Sequence, residues 1–353
     1  MLSPTDFCAS GPAFLRRNRK NAEGTAIMRS QRFTFASRRL LQLIPVVLAI
    51  ASFNFILIHL APGDAADVIA GQSGYATLED IEGLRQEFGL DKPLYQQYLI
   101  YVGKVLTFDL GFSWVQKTAV LTLILERLPA TLILVFSAVA MAVGLGIVLG
   151  VVSATRRGTW TDTMVTVGAL LFYATPAFWF GLMLIVFFSL KLDLLPSGGM
   201  LTIASGKTGF AYVADVAQHL ILPSLTMALY YLAIYTRLMR ASMLEVYNLD
   251  FVRTARAKGL SERTVAWRHA ARNALLPVVT IAGLQIGHFM GGSVLVETIF
   301  GWPGLGRLVF DALLQRDANL LMGIFLISSV LVVLINLLAD LIYGLLDPRI
   351  THK

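Results

Sequence analysis

Six long apolar stretches that contain no Asp, Glu, Lys or Arg constrain the fold of this chain more than any other feature. They cover residues 40–63, 128–155, 163–190, 216–236, 273–296 and 318–339, and the last continues past Asp340 to residue 346. A bilayer core about 30 Å thick is crossed by roughly 20 helical residues, so each stretch is long enough to span it. None shows the alternating pattern of an outer-membrane barrel. The sequence therefore predicts an all-α integral membrane protein with six transmembrane helices.

The distribution of basic residues predicts the orientation of these helices. Of the 29 Lys and Arg residues, 20 lie in the two tails and in the loops after the second and fourth spans. Short loops rich in Lys and Arg stay in the cytoplasm, so both termini are predicted to be cytoplasmic. The net charge of +7 then reflects contact with anionic membrane lipids, and no nucleic-acid partner is expected.

The loop between the fourth and fifth spans has the pattern of a folded element. Its apolar and small residues recur at the spacing of one helix face, and they are Leu244, Tyr247, Phe251, Thr254 and Ala255. Asp250 suits the cap or first turn of a helix, and Gly259 suits a left-handed helix end. Ser261 is expected to cap a second helix that runs to the next span. The sequence predicts a helix, a glycine turn and a helix on the cytoplasmic side.

This loop resembles a motif of a known transporter family. The run Asp250-Phe-Val-Arg-Thr-Ala-Arg-Ala-Lys-Gly-Leu260, followed by Arg272-Asn-Ala-Leu-Leu-Pro277, resembles the EAA loop of the dipeptide, oligopeptide and nickel class of ABC importer permeases. Arg253, Thr254 and Ala255 stand where the general motif has Glu-Ala-Ala, and the glycine lies farther from the Leu-Pro pair than in sugar permeases. Both departures from the general motif resemble the sequences of the peptide class.

Other segments extend this resemblance to residues 38–349. They are Ala61-Pro-Gly-Asp64, Phe88-Gly-Leu-Asp-Lys-Pro-Leu94, Glu126-Arg-Leu-Pro-Ala-Thr131, Pro196-Ser-Gly-Gly199, Glu297-Thr-Ile-Phe-Gly-Trp-Pro-Gly-Leu-Gly306 and Leu346-Asp-Pro-Arg349. One departure is local, because Ala318-Asn319 stands where the family has an aromatic residue and a proline. The resemblance does not predict the conformation of that loop.

The resemblance implies a type I ABC importer permease fold and the following division of the chain. Residues 1–38 would form a cytoplasmic tail, 39–63 the first transmembrane helix, 64–121 an extracytoplasmic region with short helices, 122–347 the five-helix ABC transmembrane domain with a coupling loop at 241–272, and 348–353 a second cytoplasmic tail. The chain would be a permease subunit in the bacterial inner (cytoplasmic) membrane, forming half of a translocation pathway for peptides or related small solutes.

The same resemblance implies the partners. They are a second homologous permease subunit, two ABC ATPase subunits and an extracytoplasmic solute-binding protein. The helix that ends at Gly259 would be a coupling helix that docks on an ATPase subunit. The residues implied in ATPase coupling are Tyr247, Asp250, Phe251, Arg253, Thr254, Ala255, Lys258, Gly259 and Leu260.

Nucleotide chemistry is not expected in this chain. A phosphate-binding loop of the form G-x-x-x-x-G-K-[ST] does not occur in the sequence. The chain is therefore predicted not to be an enzyme and to bind no cofactor or metal, with ATP and Mg held by the partner ATPase subunits. The solute is left open among a dipeptide, a longer peptide, a nickel chelate, glutathione and another small solute.

Polar residues inside apolar spans are candidates for function, because lipid penalises them. Four are singled out here, namely Asn54, Gln285, His288 and Asn336. Each is predicted either to line the pore or to make an interhelical hydrogen bond, and the sequence does not decide between these. A secondary, ion-coupled transporter is the main alternative for the chain, but it needs carboxylates near the centre of a span. A membrane-bound enzyme would need clustered His, Asp or Glu.

Overall fold

The computed structural model describes residues 43–60, 82–83, 85–86 and 91–346. Both predicted cytoplasmic tails, the ends of the first predicted span and most of the extracytoplasmic region before Asp91 lie outside the described residues. The chain divides into two compact units, Met1–Ala49 and Ile50–Lys353. In the first unit, the described residues 43–49 are helical. The second unit contains the candidate site.

The described part of the chain is almost entirely helical, with one small hairpin. Its elements are α1 (Leu43–Leu60), α2 (Leu94–Leu106), β1 (Phe112–Ser113), β2 (Thr118–Ala119), α3 (Val120–Thr155), α4 (Trp160–Ala174), α5 (Ala177–Lys191), α6 (Phe210–Val246), α7 (Asp250–Ala257), α8 (Glu262–Ile299), α9 (Leu305–Leu314) and α10 (Ala318–Leu346). Two of the helices contain a π-helical stretch, Ile185–Lys191 in α5 and Val265–Ala270 in α8. The two strands are antiparallel.

Four of the described helices are long and apolar enough to cross a membrane, namely α3, α6, α8 and α10. The predicted span at 163–190 differs from a straight helix, because α4 and α5 meet at a bend of 105°. Pro176 has no N–H and disfavours the helical conformation in the residue before it, and Thr175 has an extended ψ of 132°. The first predicted span contains a shorter apolar helix, Ile44–Leu57.

The close packing of α3 against α6 forms the centre of the main apolar core. Gly146 and Gly150 of α3 allow the two backbones to approach. A Cβ atom at Gly146 would lie 2.5 Å from Cβ of Tyr235, and one at Gly150 would lie 2.6 Å from Cβ of Met239. Tyr235 and Met239 are fully buried. Small residues at helix interfaces permit this approach in membranes, so α3 and α6 pack as one rigid pair.

The loop that contains Ala318 and Asn319, the pair that departs from the family pattern, is hydrogen-bonded to the hairpin of β1 and β2. The amide of Asn319 donates to the carbonyl of Phe112 at 3.2 Å. Ser113 Oγ donates to the buried Asp317 carboxylate, which also accepts from the backbone N–H of Leu320 at 3.1 Å. Asp317 thereby caps α10. The structure therefore defines this conformation, which the resemblance left open.

Candidate functional site

Most of the predicted coupling loop at 241–272 is helix that continues from the neighbouring spans. Residues 241–246 complete α6, and residues 262–272 begin α8. Two short non-helical segments, at 247–249 and 258–261, flank α7. The predicted helix was expected to include Leu244, but α7 begins at Asp250. Ser261 caps α8 as predicted, because its Oγ accepts from the backbone N–H of Thr264.

The inner face of α7 packs against the same chain. Val252 is fully buried and Ala255 is 5% exposed, and both belong to the main apolar core together with Val265 and Ala266. Ala255 was also predicted as a contact with an ATPase subunit, and its burial leaves little of its side chain available for such a contact. Helical spacing placed Ala255 beside Phe251 and Thr254. It did not show that the face with Val252 and Ala255 is the one that packs against the core.

The outer face of α7 carries most of the other predicted coupling residues. We call this set the α7 outer surface, and it consists of Asp250, Phe251, Arg253, Thr254, Lys258 and Leu260, all exposed. Phe251 is 39% and Leu260 is 38% exposed. Asp250 and Arg253 form an ion pair at 3.5 Å with both side chains in solvent, which contributes little to stability. The surface combines two exposed apolar groups with charges of both signs.

Gly259 ends α7 through the Schellman arrangement of backbone hydrogen bonds. The N–H of Gly259 donates to the carbonyl of Arg256 at 2.9 Å, and that of Leu260 donates to the carbonyl of Ala255 at 3.4 Å. Gly259 has φ of +75°, and no described atom lies within 4 Å of the position of a Cβ atom. The glycine is therefore needed for its left-handed backbone and not for space.

Replacing Gly259 with valine is expected to destabilise the folded loop by about 1 to 2 kcal/mol, because a β-branched residue is strained at positive φ. Gly259→Asn is the matched control, since asparagine adopts the left-handed conformation more readily. Hydrogen exchange of the amides of residues 250–264 in the purified protein measures the effect. Equal protection in the two variants would contradict the role assigned to the backbone of Gly259.

Arg256 does not extend from the loop as a free charge, because it forms an ion pair with Glu262. Its guanidinium donates to both carboxylate oxygens of Glu262, at 2.8 and 3.1 Å, and lies 5.3 Å from the ring centre of Tyr247. The hydrogen bonds that Arg256 donates to the Glu262 carboxylate raise the pKa of Arg256, and burial raises the pKa of Tyr247. The pair joins the end of α7 to the start of α8, and Tyr247 is half-buried beside it.

The four polar residues predicted inside spans occupy different surroundings. Asn54 is buried and its amide donates to the carbonyl of Met322 on α10 at 3.4 Å, which makes its contact interhelical. Asn336 is half-buried, and its Oδ1 accepts no hydrogen bond from any described residue. Gln285 is half-buried and His288 is exposed. Within the described chain, only His288 of the four is open to the surroundings.

Sequence reasoning missed three buried carboxylates, Asp162, Asp215 and Glu297. Asp162 pairs with Arg240, Asp215 pairs with Lys207 at 2.5 Å, and Glu297 accepts from Thr131 Oγ1 at 2.8 Å and from the backbone N–H of Arg307 at 3.0 Å. Each lies at the end of an apolar stretch and not in its centre. Arg240 and Thr131 lie far along the chain from the carboxylates they meet, and Lys207 lies in a loop with no repeating pattern, so only the Glu297 motif carried any signal.

Comparison with known proteins decides the family. Residues 146–352 match the family described as binding-protein-dependent transport system inner membrane component, and residues 32–135 match the N-terminal region of such membrane components. The chain belongs to this family. The resemblance deduced from the loop and the other motifs is confirmed, and so is the permease function, in preference to the ion-coupled transporter.

Full-length relatives support this assignment. The chain is 41% identical to the di/tripeptide transport system permease protein DppB of Pseudomonas aeruginosa (strain UCBPP-PA14), over 91% of this chain and 99% of the relative. It is 43% identical to the oligopeptide transport system permease protein AppB of Bacillus subtilis (strain 168), over 89% of this chain and 98% of the relative. A chain of the inward-facing MetNI methionine ABC transporter shares the fold, with a TM-score of 0.51, 17% identity, and coverage of 65% of this chain and 97% of that chain. The predicted type I importer permease fold is confirmed.

Proposed function

We propose that this permease forms half of a translocation pathway for short peptides in an ATP-driven importer of the bacterial inner membrane, with both termini in the cytoplasm. Relatives of about 40% identity over nearly the whole chain carry di/tripeptides or oligopeptides by name. The other half of the pathway would come from a second, homologous permease subunit. An extracytoplasmic solute-binding protein delivers the peptide, and two ATPase subunits bind ATP and Mg.

An uncovered face of α8 supports the assignment of half a pathway. Leu284, His288, Gly291 and Leu295 follow one another at helical spacing and are all exposed, although α8 packs on its other sides against α6 and α10. A central helix with one face left open fits a subunit whose partner lies opposite. His288 gives this face a polar group, which is expensive in lipid and favoured beside a hydrated pathway.

The α7 outer surface supports docking on an ATPase subunit. Phe251 and Leu260 are large apolar side chains held in solvent by a helix whose opposite face is anchored in the core. An exposed apolar group on an amphipathic helix is the usual anchor of a helix that enters a groove on a partner. Phe251 is thus the residue that carries this proposal, with Arg253 and Lys258 at the edge of the contact.

Phe251→Asp is expected to weaken the association with the ATPase subunits by about 2 kcal/mol or more, which is roughly thirtyfold, since it places a charge at a buried contact. Phe251→Leu is the matched control, because it keeps an apolar side chain. The permease is purified with the products of its neighbouring genes, and copurifying ATPase subunit, ATP hydrolysis and dipeptide uptake are measured in liposomes. The proposal fails if no ATPase subunit accompanies the unaltered chain, or if both variants behave alike.

A further inference from the structure

A half-buried ion pair joins three helices near the predicted cytoplasmic loop. Arg240 of α6 donates from Nε and Nη2 to the two carboxylate oxygens of Asp162 on α4, each at 2.8 Å. Ser153 of α3 donates from Oγ to the same carboxylate, and the backbone N–H of Gly158 donates at 3.0 Å. Asp162 is 6% exposed. One carboxylate therefore receives donors from α3, from the turn after α3 and from α6.

This ion pair is a polar attachment of α4 to α3 and α6 near its start. Within α4, all of which is described, only Asp162 and Ala169 are buried. The contact between α3 and α6 differs, because glycines bring those two backbones together along the helices. Without the ion pair, the first turns of α4 would keep the packing of half-buried side chains, which fixes the position along α6 less specifically than a bidentate pair does.

The pair also lies close to the coupling loop. Arg240 precedes the end of α6 at Val246 by six residues, which is about 9 Å along the helix axis. A movement of α7 is transmitted to the end of α6 through the short turn at residues 247–249. Arg240 is then the first residue along α6 from that turn whose side chain forms an ion pair with another described helix.

We infer that Asp162 and Arg240 are positioning residues that make α4, and with it the bent α4–α5 pair, follow the end of α6 when the cytoplasmic loop moves. This inference rests on the proposed function of the loop. A bidentate pair of this kind holds one geometry better than an apolar contact, because two N–H groups of the guanidinium each meet one carboxylate oxygen. The helix α4 would otherwise move independently of the ATPase subunits.

The test separates coupling from folding. Asp162→Asn and Arg240→Lys each keep a polar group of similar size and disrupt the bidentate pair, and Arg157→Gln removes an exposed charge in the same turn as a control. We expect both pair variants to retain the copurifying ATPase subunits and to transport about tenfold less peptide per ATP hydrolysed, with the control unchanged. Unaltered transport per ATP in the two pair variants would overturn the inference.

A distance measurement gives a second readout that a simple loss of stability would not move. Spin labels at Trp160→Cys on α4 and Glu245→Cys on α6, in a Cys8→Ser background, report the separation of the two helices in the complex. With the pair intact, the distance between the labels is expected to be the same with and without trapped ATP. In Asp162→Asn, the distribution of distances between the labels is expected to broaden. A distance that changes with ATP while the pair is intact would overturn the inference. Failure of the unaltered chain to bind ATPase subunits would overturn the proposed function, and this inference with it.

Discussion

Replacing Gly150 with alanine is expected to destabilise the protein by about 3 kcal/mol, because overpacking of a close contact forces the helices apart. The new Cβ atom would lie 2.6 Å from Cβ of Met239 and 2.9 Å from the carbonyl oxygen of Thr236. The second of these is backbone, so it cannot turn away as a flexible side chain would. The thermal unfolding temperature of the purified subunit in detergent measures the loss.

Gly144 on the same helix provides the control for this prediction. No described atom lies within 4 Å of a Cβ atom placed there. Gly144→Ala is therefore expected to leave stability unchanged or to raise it by up to about 1 kcal/mol, because alanine favours a helix over glycine. If the two alanine variants unfold at the same temperature, the close approach of α3 and α6 does not hold in the folded protein.

Replacing Glu297 with alanine is expected to cost about 3 to 5 kcal/mol of folding free energy, since it empties a buried site and leaves its donors unpaired. Glu297 is fully buried and accepts from Thr131 and from the N-terminal amide of Arg307 on α9. Thr131 in turn accepts from the N–H of Leu305 at 2.7 Å. The carboxylate thus ties the end of α8 to α3 and to the first turn of α9.

Two further variants distinguish this role from a general effect of charge. Glu297→Gln keeps the size and one acceptor oxygen, so it is expected to lose less stability than the alanine variant. Asp311→Ala removes an exposed carboxylate whose pair with Arg307 spans 3.9 Å, and it is expected to change the unfolding temperature little. Equal losses in all three variants would show that Glu297 does not hold these helices together through its hydrogen bonds.

The coupling loop shows what local sequence predicts well. Gly259 was expected to end a helix and Ser261 to begin one, and both do so. These features depend on interactions within a few residues, such as backbone hydrogen bonds at a helix end and a side-chain cap. The burial of Ala255 could not be predicted in this way, because both faces of α7 carry apolar residues and the buried face is the one that meets residues outside the helix, such as Val265 and Ala266.

The sequence by itself determined the membrane class, the family and the position of the loop, since apolar length and short motifs are read along the chain. Only the tertiary structure decided which glycines bring α3 and α6 together, that the span at 163–190 bends by 105°, and that Asp162 meets Arg240. Asp162 and Arg240 are 78 residues apart, and the sequence around each of them does not indicate which residue it pairs with. Contacts of this kind arise from the packing of whole helices, so they become visible only when the helices are placed against one another.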